Sequence, residues 1–296
     1  MEKRIIWILA LLIAAGSSLA DARKRSDRST GHQTYTVSSS EKSEKRQAKN
    51  EKRKEKSKKT TVRKSTSGSE LMRITGDIKG ITNHTALDVT LVYGKTDIVV
   101  EGSQKYLDDY FINVSNGVLT ISYAGNRQSG TKGNLVIRGS VRDLGSVTSF
   151  GSGNIKVGAM DCTSAKLQSF GSGSISVTKI DCTGMQISSS GSGDITIGNL
   201  DGTTLKVTSQ GSGHIRVGDA DTTSVDIVSQ GSGNIQVKNI DSTSMRVLNQ
   251  GSGDVQISGD ATTVTLTNQG TGDIRATGLK ATRITKLNQG TGRIYD

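Results

Sequence analysis

The sequence predicts an all-β protein, a right-handed parallel β-helix (β-solenoid) with a 20-residue turn, preceded by a disordered basic tail. Three observations carry this prediction. Gly-Ser-Gly recurs at 151, 171, 191, 211, 231 and 251 and continues as Gly-Thr-Gly at 270 and 290. A fixed period of this length marks units that bury their apolar faces only by stacking on one another. Within each repeat apolar and polar residues alternate, the period of strands with one face inward. Finally, the net charge of +11 is lopsided: residues 1–70 hold 18 basic and 8 acidic residues, whereas 71–296 hold 20 and 19.

From the N-terminus, residues 1–20 read as a secretory signal. Lys3 and Arg4 form a basic start, Ile5 to Ala15 an apolar run too short for the roughly 20 residues that cross a bilayer, and Ser18-Leu19-Ala20 a small-residue cleavage site. Residues 21–70 are nearly devoid of apolar side chains and cannot offset chain entropy by burial, which predicts a disordered tail. Its densest charge is Lys52, Arg53, Lys54, Lys56, Lys58 and Lys59. These residues suit an anionic polymer such as lipopolysaccharide, an acidic glycan, phospholipid headgroups or nucleic acid, or else a solvated spacer.

Residues 71–148 carry irregular strand signals and are expected to begin the β-helix that 149–296 continue. Counting each repeat from its first Gly, apolar pairs fall at the fifth and seventh places (Ile195 and Ile197) and at the fifteenth and seventeenth (Leu205 and Val207). A further inward residue falls at the tenth (Leu200). The eleventh place holds Asp161, Asp181, Asp201, Asp221 and Asp241. These are expected to fix corners as Asx-turns, each accepting a backbone N–H two residues on; a cation-binding ladder is the sharper alternative. The glycine triplets lack the lysine of a phosphate loop and predict a corner needing positive φ. Before each triplet runs a polar column (Ser149 to Ser229, then Asn249, Asn268 and Asn288), followed by Phe150, Phe170, Ser190 and then Gln210, Gln230, Gln250, Gln269 and Gln289. Stacked amides bond between rungs. Phe150 and Phe170 serve ladder packing or a glycan-stacking patch.

Cys162 and Cys182 occupy the same place in adjacent turns, about 4.8 Å apart, within disulfide reach. A bond is expected in an exported protein, with two reduced thiols as the alternative. Near the C-terminus Lys280 enters the Asp column and Lys286 an apolar one. Charges of this kind guard an open strand edge, so a monomer or weak end-to-end dimer is expected.

The segment Leu87 to Gly94, the turn Tyr106-Leu107-Asp108-Asp109-Tyr110 and the element Asn116 to Ile121, followed by Gly-Ser-Gly-Asn-Ile-type turns, resemble the bacterial "putative auto-transporter adhesin, head GIN domain" family over residues 74–296. The resemblance implies a β-helical domain exported to the envelope of a Gram-negative-type bacterium, in the periplasm, on the outer-membrane surface or secreted. It implies an adhesin-like role without catalytic residues or cofactors, and partners such as an envelope glycan, lipopolysaccharide or host-surface ligand. The repeats themselves show no acid–base constellation, and only three His occur (His32, His84 and His214). A non-enzymatic structural or adhesive protein therefore explains the sequence best. A polysaccharide-active lyase or glycosidase is the alternative by fold analogy, and a basic tail that does the binding with the solenoid as spacer is a further one.

Overall fold

The computed structural model describes residues 61–64, 70–125 and 135–296, all within the compact unit Lys52–Asp296. The expected signal, the six-residue basic cluster at 52–59 and most of the tail lie outside the described residues.

The described chain is an all-β solenoid of about eight turns. Its regular part comprises β10 (Ile155–Ser169), β11 (Ile175–Ser189), β12 (Ile195–Ser209), β13 (Ile215–Ser229), β14 (Ile235–Asn249), β15 (Val255–Asn268) and β16 (Ile274–Asn288), closed by the short β17 (Ile294–Tyr295). Each pairs in parallel with the next, so that Ile175 stacks on Ile155 and Ile195 on Ile175. Ladder pairing of β10 on β11 skips Gly158 and Thr163, which divides a rung into three paired runs, 155–157, 159–162 and 164–169, with the glycine triplet as the remaining corner. The alternation sets the burial: Ile195, Ile197, Leu200, Leu205 and Val207 are all buried, and their equivalents join one apolar cluster running from Leu71 to Ala276. Each such aliphatic side chain contributes about 1.5–3 kcal/mol on full burial.

The tenth-place residues thus sit on a third strand run and not on a corner. The one shortened turn, between the triplets at 251 and 270, is a residue short between the places of Val237 and Ile240, and Gly259 takes the tenth place opposite Ile240. Asn239 (φ 46°) and Gly259 (φ 122°) take up the slack, and the register resumes at Ile240 opposite Gly259.

The N-terminal part departs from a purely parallel coil. β3 (Gly80–Asn83) and β4 (Val89–Tyr93) form a rung of the solenoid, with β4 against β10. β9 (Ser146–Ser149) is inserted in parallel between β3 and β10. β1 (Thr61–Lys64), β2 (Glu70–Thr75), β5 (Asp97–Glu101) and β8 (Val136–Val141) pair antiparallel in that order. β6 (Tyr110–Ser115), preceded by the single turn α1 (Gln104–Leu107), forms a hairpin with β7 (Val118–Tyr123). Asn116 (φ 51°) and Gly117 (φ 75°) make its two-residue turn, the Asn-Gly pairing whose twist matches antiparallel strands. Thr61–Lys64, which composition groups with the tail, is a strand because β2 offers it an unpaired edge. Among the described residues no helix is long and apolar enough to cross a membrane.

Candidate functional site

Because every rung repeats the last, the surface is a set of columns, each one residue type deep for several rungs. Several of them hold the residues singled out by sequence, and one more holds residues that the sequence did not flag.

The triplet corner is the most constrained. None of the triplet glycines has a positive φ, against the expected left-handed corner. What they supply is proximity: a Cβ on Gly191 would lie 2.1 Å from the carbonyl oxygen of Gly171, and one on Gly211 2.1 Å from that of Gly191. The chain passes so close above itself that only hydrogen fits. Behind this corner, the nineteenth-place column points inward and is fully buried from Ser149 to Asn268. Asn249 Nδ2 donates to the Gly253 and Gly272 carbonyls at 3.1 and 3.0 Å while its Oδ1 accepts the Gly251 N–H at 3.2 Å, and Asn268 repeats the pattern. Asn83 does the same in the first rung. In the turns between, the Oγ atoms of Ser149, Ser189, Ser209 and Ser229 have no protein partner, and that of Ser169 reaches the Gly193 carbonyl at 3.4 Å.

In front of the corner lies the twentieth-place column. His84, Phe150 and Phe170 stack in parallel, with ring centroids 4.6 and 4.9 Å apart. Gln210, Gln230, Gln250, Gln269 and Gln289 form an amide ladder, each Nε2 donating to the next Oε1 at 2.8–3.1 Å. Phe150 and Phe170 remain 46% and 42% exposed, so they are surface rungs and not core. The ladder and the Ser or Thr at each second place line an open groove of about 830 Å³.

The column that composition did not flag is the fourth place, where the acceptor type varies but the geometry does not. Apart from Ser174, these side chains accept the backbone N–H of the equivalent one rung on: Asn154 Oδ1 from Ser174 (3.0 Å), Asp194 Oδ1 from His214 (2.8 Å), His214 Nδ1 from Asn234 (3.0 Å), Asn234 Oδ1 from Asp254 (2.9 Å), Asp254 Oδ1 from Asp273 (2.8 Å) and Asp273 Oδ1 from Arg293 (2.9 Å). These side-chain-to-backbone bonds join successive rungs, unlike the local Asx-turns expected of the Asp column. The readable signal is that Asn, Asp and His, unlike as they are, all offer a short acceptor.

Arg216 closes on Asp194 at 2.7 Å. Burial pushes the Asp194 carboxyl up, but hydrogen bonds from Arg216 and the His214 N–H, with the nearby positive charge, outweigh it and hold the group below the usual carboxylate range. A depressed folded-state value contributes stability above the unfolded value of about 3.9 and loses it as pH falls through the folded one. The side chain is 35% exposed, so screening limits the contribution to at most about 1 kcal/mol. Asp194→Asn is therefore expected to lower the melting temperature slightly at neutral pH and to flatten its decline between about pH 5 and 3, as read by calorimetry.

Asp161, Asp181, Asp201, Asp221 and Asp241 are not Asx-turn corners. They stand outward on the middle strand run, exposed and in ladder register, and the column continues to Asp260 before Lys280 ends it. The Tyr93 hydroxyl donates to Asp161 at 3.4 Å. The stacking of like charges is tolerated because water screens them. Among the described residues no group of three His, Cys, Asp or Glu is placed to hold a metal ion. Cys162 and Cys182 are register partners in adjacent rungs and stand as free thiols in this structure. Burial, then the Cys162 sulfur and the Asp181 and Asp201 carboxylates, pushes Cys182 up to about 11, and burial with Asp161 raises Cys162 as well. Thiols so placed stay protonated and unreactive near neutral pH. Lys286 bonds Asp296 at 2.9 Å, which satisfies its charge at an otherwise apolar place.

A model of the family described as "Putative auto-transporter adhesin, head GIN domain" matches residues 77–238 and 203–295. Among solved structures, an adhesin-designated protein from Parabacteroides merdae is 17% identical with a TM-score of 0.61, covering 80% of this chain and 97% of its own. One from Bacteroides fragilis is 17% identical with a TM-score of 0.60, covering 80% and 97%. A protein from Parabacteroides distasonis described as lipid binding is 15% identical with a TM-score of 0.63, covering 80% and 96%. These likenesses establish a shared fold. No curated protein sequence matches the chain.

Proposed function

Because this chain belongs to the auto-transporter adhesin, head GIN domain family, we propose that it is an exported, non-enzymatic adhesin-like protein of the bacterial envelope that works by presenting a solenoid face. The observation that carries this reading is the uniformity of the exposed columns. The amide ladder repeats one residue over five successive rungs, and the Asp column repeats one over six. A repetitive, preorganised surface suits an extended, repetitive ligand. Catalysis instead needs a few groups set apart from their neighbours, such as a carboxylate pair in unlike environments. The Asp carboxylates stand in near-identical exposed settings, which favours presentation over glycan cleavage. The lipid-binding description of one fold neighbour finds less support, since the solenoid interior is filled by aliphatic side chains and the grooves are lined by polar residues.

The test is fractionation of cells combined with protease treatment of intact ones. Cleavage of the chain on intact cells, with attachment to surfaces lost on deletion of the gene, is expected; a cytoplasmic, protease-shielded chain would sink the reading. The basic cluster at 52–59 is proposed to assist by attracting anionic polymers. A chain lacking residues 21–58, which keeps β1, should lose such binding, and binding by the full chain should weaken steeply with salt. Retention that is insensitive to salt, or unchanged in the shortened chain, would refute this role.

A further inference from the structure

We propose that the uncharged strip over the glycine corner is a binding site for a neutral, linear glycan, with one sugar ring seated at Ser190 between the Phe170 ring and the Gln210 amide. The proposal rests on the adhesin reading above and names its site and ligand class.

The first observation is a missing rung. Along the twentieth-place column, His84, Phe150 and Phe170 stack face to face, and from Gln210 onward every rung carries a bonded amide. Between the two series stands Ser190, an exposed residue whose Oγ reaches only to Gln210 Oε1 at 3.5 Å. Phe150 covers one face of the Phe170 ring. On the other side the column offers only a hydroxymethyl group before Gln210. Phe170 and Gln210 are two rungs apart, about 9.6 Å at the usual strand spacing. That leaves room for one flat ring in contact with both. A pyranose suits the slot: its C–H face packs on an aromatic ring, and its hydroxyls pair with an amide edge.

The second observation is the groove beyond the notch. From Ser190 it runs along the amide ladder to Gln289, floored by the hydroxyls of Ser212, Ser232, Ser252, Thr271 and Thr291. Each Gln spends one N–H and one lone pair on its neighbours and keeps another of each for a ligand. A chain lying along the axis therefore meets the same donor and acceptor pair at every rung. The ladder is already bonded to itself, so little order is lost on binding.

The third observation sets the ligand's charge. In a chain that is 22% charged, the places numbered twenty, one, two and three hold no charged residue in any turn from Phe150 to Gly292. The adjoining fourth column carries Asp194, Asp254 and Asp273, and a cation, Arg293, only in its last turn. An acidic glycan would find no cation on this strip and carboxylates beside it, whereas a neutral one loses nothing.

The experiment is affinity electrophoresis of the full mature chain through gels containing a β-1,4-glucomannan, a β-1,3-glucan or an α-1,4-glucan, with polygalacturonate as the acidic comparator. It is run in about 0.5 M salt so that the attraction of the basic tail is screened. At least one neutral glycan is expected to retard the protein. Phe170→Ala and Ser190→Gln should each weaken association about tenfold, which corresponds to about 1.4 kcal/mol. Phe111→Ala, an exposed aromatic elsewhere, should change nothing. Ser190→Gln installs the residue that the next five rungs already carry, so it fills the notch without disturbing the fold, and its melting temperature checks this. Retardation by none of the neutral glycans, by polygalacturonate alone, or equally in parent and both variants would overturn the proposal. The same cells in the protease and attachment assay separate the two levels. A surface-exposed chain that supports attachment yet ignores neutral glycans removes the strip and leaves the adhesin reading standing, whereas a shielded cytoplasmic chain removes that reading itself.

Discussion

Gly211→Ala is expected to lower the unfolding free energy by about 3 kcal/mol or more, at the upper end of what one inserted methyl group costs in a packed interior. The added Cβ would meet the Gly191 carbonyl oxygen at 2.1 Å, the Ser190 carbonyl carbon at 2.7 Å and the Gly191 nitrogen at 2.9 Å, all backbone atoms of the rung below. They cannot swing aside as a side-chain tip would, because the same rung is bonded to its neighbours through Gly211 N–H to Ser189 O and Ser212 N–H to Gly191 O. A solenoid relaxes by separating rungs, so the loss should appear both as a lower urea midpoint and as faster amide exchange in β12 and β13. Ser212→Ala, one residue on and exposed, is the control and should stay within about 0.5 kcal/mol of the parent. Parental midpoint and exchange in the Gly211→Ala protein would show that the corner can open at little cost.

The second large effect is expected at the inward polar column. Asn249→Ala should cost about 3 kcal/mol, since it removes the partner of the Gly253 and Gly272 carbonyls and of the Gly251 N–H in a fully buried corner. Asn249→Ser should cost less, about 1–2 kcal/mol, because Ser229 shows that the rung folds with a hydroxyl there. The converse substitution gives the sharper check. Ser229→Asn sits below Asn249 on an equivalent backbone, and it is expected to stabilise the protein by about 1 kcal/mol by extending the amide column. A lower urea midpoint for Ser229→Asn would mean that the serine rungs are packed too tightly for an amide. The bonding seen at Asn249 and Asn268 would then not transfer along the stack.

The solenoid was legible because a fixed period transmits one local rule through many rungs. Ile195, Ile197, Leu205 and Val207 are inward for the reason their equivalents are, and a strand slipped by one residue would expose them all. The amide ladder was legible for the same reason. The N-terminal rungs were less so: β1, β2, β5 and β6 lack the period, and their pairing depends on which edge is free. Even so, Asn116-Gly117 carried a hairpin signal that a search for parallel strands passes over.

By itself, then, the repeat determined the period, the inward and outward faces and the neighbours of every residue along the stack, because in a solenoid sequence position and spatial column are the same variable. It did not determine what happens around a rung. Whether the tenth to twelfth places form a corner or a third strand run depends on how the chain closes on itself, and that closure set Asp161, Asp181, Asp201, Asp221 and Asp241 on a strand run and brought the fourth-place acceptors within bonding reach of the N–H groups of the next rung. It also exchanged left-handed glycine for close-approach glycine at the triplets. The notch at Ser190 belongs to both levels: the sequence places a small residue between Phe170 and Gln210, but only stacked rungs turn that substitution into a gap bounded by a ring and an amide.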